Sequence, residues 1–586
     1  MTTATPSPTT ESFVNKDGSS ILPKRSVQKV VAYVPPLEGR RTKIRLDFNE
    51  NTLGYPQVSD PLDLTLINTY PEYTAFINDL ADQYGLQADH ILLTNGSDEA
   101  LSVLANTFIE PGEDCAVLAT PTFALIPHYL TLADARIVTV PVTPDLQLDT
   151  AGMEGAIAAN KPKLVIVASP DNPTGALMPL EALRHWVETF PNTLFVVDEA
   201  YAEYCGQSVL GYLKERLAAG HENLMMTRTF SKAWALAGLR LGFVVGSPRL
   251  VEVMTRVRSP YSVNTLAANF AHQLLPSKAL VEANAQETMG RKAVLMDALR
   301  ERGYGVHEGH GNFFLLKVGV DAAALTDFCS RHGILLRDRS MVPALAGMVR
   351  ISVGSTGENE AFLAAVDAFK QEHVLLLDVD GTLVDTSKSF DTVVATLVDR
   401  YTQQPLKEGE LAALRASGGF NDDWDAIEEL CKRRDVTVTQ DTIAKEGLAL
   451  YLSIAKENET LMLEETTLAG MAKRYRLGLV TGRYRSEYDA IWAERLNPYV
   501  EVVVCRDDVP NTPGKPSPDL LIQALKAMNA TEGLYVGNSI DDMKAATGAG
   551  LTPIGVETTQ SAESLTLAGA TLVLPSPHQF DAAFCP

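Results

Sequence analysis

The stretch that decides the fold of the first half of the chain lies at residues 228–240 and reads RTFSKAWALAGLR. It begins where the apolar run Leu224–Thr227 ends, so Ser231 and Lys232 stand just beyond a predicted buried strand. A lysine amine at such a place can form a Schiff base with an aldehyde cofactor. A Ser-Lys pair alone indicates nothing, and its meaning depends on the elements around it.

Around this stretch, short apolar runs alternate with longer helical segments. Near-continuous apolar strands separated by helices are typical of a sheet covered on both faces, which is the α/β class. The strands predicted for the first half are 91–94, 115–119, 164–168, 194–198, 224–227 and 241–245. A separate series follows at 374–377, 477–480, 502–504, 534–536 and 552–556. We therefore expect two α/β cores.

Polar groups stand at the ends of two strands of the first series. Asp198 ends the strand 194–198, so its carboxylate is expected at the carboxyl edge where open α/β sheets bind ligands. There it can pair with a protonated pyridine nitrogen. The segment Asn95–Glu99 follows another strand and opens a helix, which Ser97 or Asp98 can cap. Free N–H groups at that helix start would bind a phosphate.

These elements, with ASPDNPTG at 168–175 and VDEAY at 197–201, resemble histidinol-phosphate aminotransferases, which are fold-type I pyridoxal-phosphate enzymes. The resemblance covers about Ser26 to Lys370. It implies a large α/β domain at about 70–270 and a small α+β domain built from both ends. It also implies amino transfer between glutamate/2-oxoglutarate and the pair histidinol phosphate/imidazole acetol phosphate.

The resemblance also implies roles for individual residues. Lys232 becomes the Schiff-base lysine and proton shuttle, and Phe123 stands where the family has a tyrosine stacked on the cofactor ring. Tyr70 matches a tyrosine that reaches the cofactor phosphate of the other subunit, which implies a homodimer. The cofactor contacts are Tyr70, Ser97, Asp98, Phe123, Asn172, Asp198, Tyr201, Thr229, Ser231 and Arg240. The substrate contacts are Tyr33, Asn49, Arg337 and Arg350. A surface salt bridge is the alternative role of Arg337.

A second motif, DVDGTLVD at 378–385, directly follows the apolar run 374–377. Of two carboxylates two residues apart, one can attack phosphorus while the other protonates the leaving oxygen. Later strands end in VTGR at 480–483 and YVGNSIDD at 535–542, and GKP at 514–516 supplies a cation. These groups are expected to converge on one phosphoryl group.

This set resembles haloacid dehalogenase superfamily phosphatases over about 373–574, with 389–464 as a helical cap. The resemblance implies Asp378 as nucleophile and Asp380 as general acid/base. Thr481 and Lys515 match phosphoryl-binding residues. Mg²⁺ would be held by Asp378, Asp380 through its carbonyl, Asn538 and Asp542. Asn538 replaces the family's usual aspartate, so one negative charge is lost, and Asp541 or Asp542 can compensate. A cap loop at 418–423 is expected either to touch substrate or to be a plain turn.

Composition sets the remaining expectations. The formal net charge of −23 argues against partners such as nucleic acid or anionic membranes. Six scattered cysteines favour reduced thiols in a cytoplasmic protein, and no apolar run reaches the length of a membrane span. We predict an arm at 1–25, disordered because it is rich in Thr, Ser and Pro, an aminotransferase at 26–371 and a phosphatase at 372–586.

The sequence thus predicts a bifunctional enzyme that transfers an amino group and hydrolyses a phosphomonoester, with histidinol phosphate as the candidate substrate of the hydrolysis. Two alternatives stay open. The first half can serve another phosphorylated amino compound, as an aminotransferase or a lyase. The second half can hydrolyse a different phosphomonoester or act as a regulatory module without catalysis, an idea motivated by Asn538.

Overall fold

The computed structural model describes residues 24–58, 63–417 and 423–586. All but the last two residues of the predicted arm, and most of the loop at 418–423, lie outside these ranges. The chain divides into two compact units. The first takes the chain up to Ala298, with Val306–Lys317 and Ala322–Phe362. The second takes Leu299–Gly305, Val318–Asp321 and Leu363–Pro586.

The regular elements follow in chain order. The strands are β1 (Ile44–Arg45), β2 (Ile91–Thr94), β3 (Cys115–Thr120), β4 (Arg136–Pro141), β5 (Leu164–Ala168), β6 (Leu194–Asp198), β7 (Leu224–Thr229), β8 (Gly242–Val245), β9 (Gly305–His307), β10 (Phe313–Lys317), β11 (Ile334–Leu335), β12 (Arg337–Asp338), β13 (Met348–Ser352), β14 (His373–Leu377), β15 (Val384–Asp385), β16 (Thr460–Leu461), β17 (Leu477–Val480), β18 (Val502–Val504), β19 (Glu532–Gly537), β20 (Thr552–Val556) and β21 (Leu572–Leu574). The helices are α1 (Arg25–Gln28), α2 (Thr74–Tyr84), α3 (Gly96–Phe108), α4 (Leu125–Leu132), α5 (Thr150–Asn160), α6 (Leu180–Thr189), α7 (Ala202–Cys205), α8 (Leu210–Ala218), α9 (Pro248–Thr255), α10 (Thr265–Leu274), α11 (Lys278–Glu301), α12 (Ala322–Arg331), α13 (Thr356–Glu372), α14 (Phe390–Thr402), α15 (Glu410–Ala416), α16 (Asp423–Lys432), α17 (Gln440–Asn458), α18 (Glu465–Arg474), α19 (Arg485–Ile491), α20 (Ala493–Leu496), α21 (Asp519–Ala527), α22 (Ile540–Gly548), α23 (Ala562–Leu567) and α24 (Phe580–Phe584).

A seven-stranded sheet in the order β2-β8-β7-β6-β5-β3-β4 forms the centre of the first unit. Its strands are parallel except β8, which is antiparallel to both neighbours. Every residue of β5, β6 and β7 is buried because apolar clusters cover both faces of the sheet. The predicted strands are all present. The sequence did not predict β4, an edge strand in which only Val140 is buried and exposed residues interrupt the apolar run.

A smaller sheet in the first unit has the order β12-β13-β10-β9. β13 pairs antiparallel with both β10 and β12, and this register sets Arg337 directly opposite Arg350. The backbone N–H of Arg339 continues the pairing by donating to the Met348 carbonyl at 2.9 Å. Because alternate residues of an extended strand point the same way, Arg337 and Arg339 share one face. Three arginines therefore stand together on this sheet.

The second unit contains a parallel six-stranded sheet in the order β18-β17-β14-β19-β20-β21. The five strands predicted for this half are all present. β21 was not predicted, because it is a three-residue edge strand with one buried residue. The carboxyl ends of β14, β17 and β19 are adjacent, so the three motifs that follow them meet at one edge.

A helical insertion, called the cap below, interrupts this sheet after β14. The chain leaves through β15 and returns through β16, and these two short strands pair antiparallel, with Val384 opposite Leu461. Between them lie α14, α15, α16 and α17, whose apolar faces pack into a cluster of their own. The structure thus has helices where the sequence predicted a cap at 389–464.

Three further expectations concern the chain as a whole. The second unit takes the chain from Leu363, before the predicted boundary at 371/372, and Phe369 there stacks on His373 with ring centroids 4.6 Å apart. Within the described ranges, every helix is too short or too polar to serve as a membrane span. All six cysteines, which lie in these ranges, are free thiols.

Candidate active sites

The first candidate site is a cavity of about 390 Å³ at the carboxyl edge of the seven-stranded sheet. Lys232, on the loop that follows β7, lies in its wall. Most of the site residues predicted for the first half line this cavity: Tyr33, Ser97, Asp98, Phe123, Asn172, Asp198, Tyr201, Thr229, Ser231, Lys232, Arg240, Arg337 and Arg350. The structure therefore brings together residues that are more than 300 positions apart in the chain.

Lys232 is held without a carboxylate partner among the described residues. Its Nζ donates to the Phe48 carbonyl at 2.9 Å and lies 5.6 Å from the centroid of the Tyr201 ring. A carbonyl contact can be exchanged for a ligand without leaving a buried charge unpaired. The amine is therefore available for chemistry in the cavity.

An anion cradle lies on one side of the cavity at the start of α3. The Arg240 guanidinium donates to Asp98 at 2.8 Å and to the Ser231 hydroxyl at 3.1 Å. β8 runs close to this helix start because Gly242 has no side chain: an added Cβ would lie 2.8 Å from the Ser97 nitrogen. The free N–H groups of the first turn, with a guanidinium and hydroxyls beside them, are suited to a phosphate.

Asp198 lies deeper in the site, at the end of β6. The Thr227 hydroxyl donates to its carboxylate at 2.8 Å, and burial raises the pKa of Asp198 to about 6. A cationic ring nitrogen would supply the charge partner that this buried carboxylate lacks among the described residues. The site thus offers an amine, a carboxylate and a phosphate cradle in one cavity.

A hydrogen-bond network lies around the Tyr201 hydroxyl. The Asn49 amide donates to it at 3.0 Å and the Asn172 amide at 3.5 Å. Asn49 itself is fully buried behind the cavity wall, and its side-chain oxygen accepts from the Ser352 hydroxyl. The Arg350 guanidinium donates to Asn172 at 2.5 Å. Asn49 therefore holds wall residues in place.

Three guanidinium groups, those of Arg337, Arg339 and Arg350, face the cavity from the small sheet. Among the described residues none of them forms a salt bridge, and the buried Nε atoms of Arg339 and Arg350 have no hydrogen-bond partner. Burial, followed by repulsion from Arg339, lowers the pKa of Arg350 to about 9. A buried guanidinium beside two half-buried like charges destabilises the site unless an anion binds there.

Tyr70 lies apart from the other predicted cofactor contacts. It does not line the cavity of its own chain, and 74% of its surface is exposed. Its ring stacks on that of Tyr261 with centroids 4.4 Å apart. The single chain therefore leaves this residue without a ligand to touch.

The second candidate site is a cavity of about 300 Å³ at the carboxyl edge of the six-stranded sheet, beneath the cap. Of the predicted residues, Asp378, Asp380, Lys515, Asn538 and Asp542 line it. Gly381, in the turn after β14, has φ +72°, a conformation that favours glycine and aims the two carboxylates of the motif.

Lys515 joins the two acidic motifs of this site. Its ammonium donates to Asp378 at 2.6 Å and to Asp542 at 2.7 Å, and all three side chains are buried. Burial raises the pKa of Asp378, and the charge of Lys515 opposes this shift. Asp542 also accepts from the Tyr535 hydroxyl at 3.0 Å and from Ser539, so both of its oxygens are engaged. Its predicted role as a metal ligand stays a prediction.

Thr481 lies behind the cavity wall, where its hydroxyl donates to Asp380 at 3.1 Å. The other oxygen of Asp380 accepts from Arg483, at 2.8 Å from Nε and 2.6 Å from Nη2. Arg483 is fully buried and bonds in turn to Glu459. Arg483 lies in the motif VTGR, but its sequence context predicted no role for it, and no motif marked Glu459.

A magnesium site at this place fits the chemistry of the donors. The Asp378 carboxylate and the Asn538 amide oxygen each lie 3.3 Å from the same hydroxyl, that of Thr382. The Asn538 nitrogen is turned the other way, toward Thr559 at 2.9 Å. Oxygen atoms are the ligands that Mg²⁺ prefers, and an amide oxygen binds it without adding charge.

Fold and sites together define an aminotransferase joined to a phosphatase-type hydrolase. The model of the family "Aminotransferase class I and II" matches residues 43–368, and that of "haloacid dehalogenase-like hydrolase" matches residues 373–550. The chain belongs to the first family and carries a hydrolase domain of the second. It is thus an enzyme with both activities, and membership of the first family implies pyridoxal phosphate as its cofactor. Both resemblances inferred from the motifs are confirmed.

Individual relatives point to one branch of that family. The histidinol-phosphate aminotransferase of Aeromonas hydrophila is 33% identical over 339 residues, which cover 56% of this chain and 91% of that protein. The enzyme of the same name from Thermococcus gammatolerans is 33% identical over 332 residues, with 56% and 91% covered. A crystal structure of a putative histidinol-phosphate aminotransferase from Erwinia carotovora atroseptica has a TM-score of 0.51 at 25% identity, covering 56% of this chain and 96% of that one.

Proposed function

We propose that the first cavity transfers an amino group between glutamate/2-oxoglutarate and the pair histidinol phosphate/imidazole acetol phosphate. The observation that carries this proposal is the set of Arg337, Arg339 and Arg350 around the cavity that holds Lys232. A phosphomonoester dianion supplies the negative charge that these guanidinium groups lack, and bidentate contacts suit both phosphate and carboxylate. The named relatives support the choice of substrate.

Pyridoxal phosphate, when bound, supplies an electron sink for charge that develops on the substrate carbon. Asp198 would pair with its ring nitrogen, and the cradle of Ser97, Asp98 and Arg240 would hold its phosphate. Phe123 would stack on its ring, while Asn172 and Tyr201 would contact its ring hydroxyl. Thr229 and Ser231 would complete the phosphate contacts. The Lys232 Nζ would carry the proton to and from the substrate carbon.

We propose that the second cavity hydrolyses a phosphomonoester in two steps. An Asp378 oxygen attacks phosphorus and forms an aspartyl-phosphate, while the P–O bond of the ester breaks and Asp380 gives a proton to the leaving oxygen. Water then attacks the same phosphorus, returns a proton to Asp380 and releases inorganic phosphate and Asp378. Lys515 and Thr481 would bind the phosphoryl group.

Mg²⁺ would neutralise the charge of the phosphoryl oxygens in this cavity. The Asp378 carboxylate, the Asp380 carbonyl and the Asn538 amide oxygen would hold it, with Asp541 or Asp542 as the further carboxylate. The buried pairing of Lys515 with Asp378 and Asp542 supports catalysis over a regulatory role, since these groups are assembled around the nucleophile.

The charge of the second cavity supports an amine-bearing substrate such as histidinol phosphate. Among the described residues, seven carboxylates line it, namely Asp378, Asp380, Asp391, Asp423, Glu487, Asp541 and Asp542. The described cationic side chains that line it number three, namely Arg415, Arg483 and Lys515. Because Mg²⁺ and a phosphate dianion cancel one another, an excess of negative charge is left for the rest of the substrate. A substrate with an ammonium group is attracted by this negative charge. The corresponding ketone, from which the amine is made in the first cavity, is not.

We further propose a homodimer in which the exposed Tyr70 reaches the cofactor phosphate of the partner subunit. Domains at 26–371 and 372–586 and a cytoplasmic location also stay proposals. Tyr33 and Arg337 would bind substrate in the first site, with Asn49 supporting Tyr201.

The deciding experiment measures inorganic phosphate released from L-histidinol phosphate with Mg²⁺, with Asp378→Asn as the control. Release that depends on Asp378 would establish two successive steps on one chain. If no small phosphomonoester is hydrolysed, the second domain has a regulatory role. A spectral change of the cofactor on addition of glutamate tests transamination against a lyase reaction.

A further inference from the structure

Arg483 lies at the centre of a buried network between the second cavity and the cap. Its side chain is 1% exposed and donates twice to one oxygen of Asp380, Oδ1. Nη2 also donates to Glu459 at 3.0 Å, and Nη1 donates to the Tyr451 hydroxyl. One guanidinium thus joins Asp380, the general acid/base of the proposed reaction, to Tyr451 on α17 and to Glu459 just before β16.

Glu459 ties this network to both ends of the cap. It follows α17 and directly precedes β16, so it stands where the chain returns to the sheet. Its carboxylate, fully buried, accepts from the Ser389 hydroxyl at 2.7 Å, and Ser389 directly precedes α14. The Trp492 indole donates to Glu459 at 2.6 Å from the sheet side. The position of Glu459 therefore depends on both connections of the cap.

The two oxygens of Asp380 are bound differently. Oδ1 accepts two charge-assisted bonds from Arg483, which hold it in place. Oδ2 accepts one bond of 3.1 Å from the Thr481 hydroxyl, and a hydroxyl can turn to accept instead of donate. Only Oδ2 is thus free to take up and release a proton.

We propose that Arg483 is a positioning residue that locks Oδ1 of Asp380 and leaves Oδ2 as the oxygen that exchanges protons, and that Glu459 sets Arg483 from the two connections of the cap. This inference rests on the proposed phosphatase reaction. In that reaction Oδ2 protonates the leaving oxygen as the P–O bond breaks and later takes the proton of the attacking water.

The test compares two substrates of similar shape, phenyl phosphate and p-nitrophenyl phosphate, with Mg²⁺ and the full chain. p-Nitrophenolate is a weak base and departs without protonation. Phenolate is a stronger base, so its departure depends on a proton from the general acid. The ratio kcat/KM reports only the steps up to P–O cleavage, so hydrolysis of the aspartyl-phosphate does not enter. A misplaced acid must therefore slow phenyl phosphate more than p-nitrophenyl phosphate.

We expect Arg483→Lys to lower kcat/KM for phenyl phosphate by about 100-fold and for p-nitrophenyl phosphate by about 10-fold or less. Arg483→Gln, which loses the cation, should show a still larger difference between the two. Glu459→Gln should give the same difference in weaker form. The matched controls are Arg485→Lys, whose guanidinium pairs with Asp508, and Glu457→Gln, an exposed carboxylate two residues from Glu459.

Equal losses on both substrates in a folded Arg483→Lys would overturn the positioning role, because a structural defect does not depend on the leaving group. A wild-type response from Glu459→Gln would overturn the part assigned to the cap. Thermal melting checks folding, and if the Arg483 variants do not fold, Glu459→Gln decides the question. Wild-type enzyme that hydrolyses neither of these substrates nor L-histidinol phosphate would instead refute the proposed phosphatase function.

Discussion

The side chains that line the two cavities of this chain carry opposite net charge. Within the part of the chain that the structure describes, six cationic side chains line the first, namely Arg40, Lys232, Arg240, Arg337, Arg339 and Arg350, against three carboxylates, Glu50, Asp98 and Asp198. In the second, seven described carboxylates face three described cations. In the proposed reactions, guanidinium groups of the chain would neutralise a phosphate in the first cavity, whereas the second would need a metal ion from solution to do so. The two proposed reactions thus place a phosphate group in electrostatically opposite surroundings, positive in the first cavity and negative in the second.

The largest expected effect separates the two cavities completely. Lys232→Ala removes the amine of the first cavity, so we expect transamination to fall by at least about 10³-fold with phosphatase activity unchanged. Half-reactions followed by cofactor absorbance, beside phosphate release, measure both. Asp378→Asn should give the reverse pattern, and Lys214→Ala is the matched control. Loss of both activities in a folded variant would contradict two independent cavities.

Removal of metal ions should affect the second cavity and leave the first unchanged. Chelation with EDTA should stop phosphate release and leave transamination unchanged. Asn538→Asp adds a carboxylate where the amide stands, and we expect Mg²⁺ to bind about tenfold more tightly. Calorimetric titration with Mg²⁺ measures this without any turnover. The exposed Asn529→Asp serves as control, and equal affinities in all three proteins would place the metal away from Asn538.

Arg339→Gln tests whether the three arginines of the first cavity favour a phosphate over a carboxylate substrate. Removing one of the three unpaired guanidinium groups should raise the KM for histidinol phosphate about tenfold and that for glutamate less than about threefold. The dianion loses more because it carries more charge. Arg331→Gln, an exposed arginine on α12, is the control. An equal rise for both substrates would make Arg339 a general electrostatic contributor.

The smallest effect concerns the cap side of the second cavity. Asp423, which pairs with Arg415 at 2.6 Å, contributes one negative charge there. Asp423→Asn should raise the KM for histidinol phosphate about threefold relative to p-nitrophenyl phosphate, since a partly exposed charge is screened. Asp425→Asn tests whether any charge on α16 has this effect. An unchanged ratio of the two KM values would show that Asp423 does not contribute to a preference for amine-bearing substrates.

The sequence predicted the central strands of both sheets because each is a continuous apolar run buried on both faces. It did not predict β4 and β21, whose edge positions expose part of each strand. Composition carries little signal for such strands.

Motif residues were predicted well for a different reason. They follow strand ends, and parallel strands bring their carboxyl ends to one edge, so Asp378, Thr481 and Asp542 were expected to meet. Arg339 was missed although it stands two residues after Arg337, a spacing that places both on one face of a strand. Glu459 could not be found, because its role depends on Ser389 and Arg483, which are distant in the chain.

The antiparallel pair β15 and β16 makes the entrance and the exit of the cap near neighbours. A segment that begins and ends at one point can be exchanged without re-threading the sheet, and this one packs around an apolar cluster of its own. Such an insertion can diverge in evolution while the strands beneath it stay unchanged. A transplanted cap would have to bring the partners that Arg483 meets there, a buried carboxylate and a hydroxyl such as that of Tyr451.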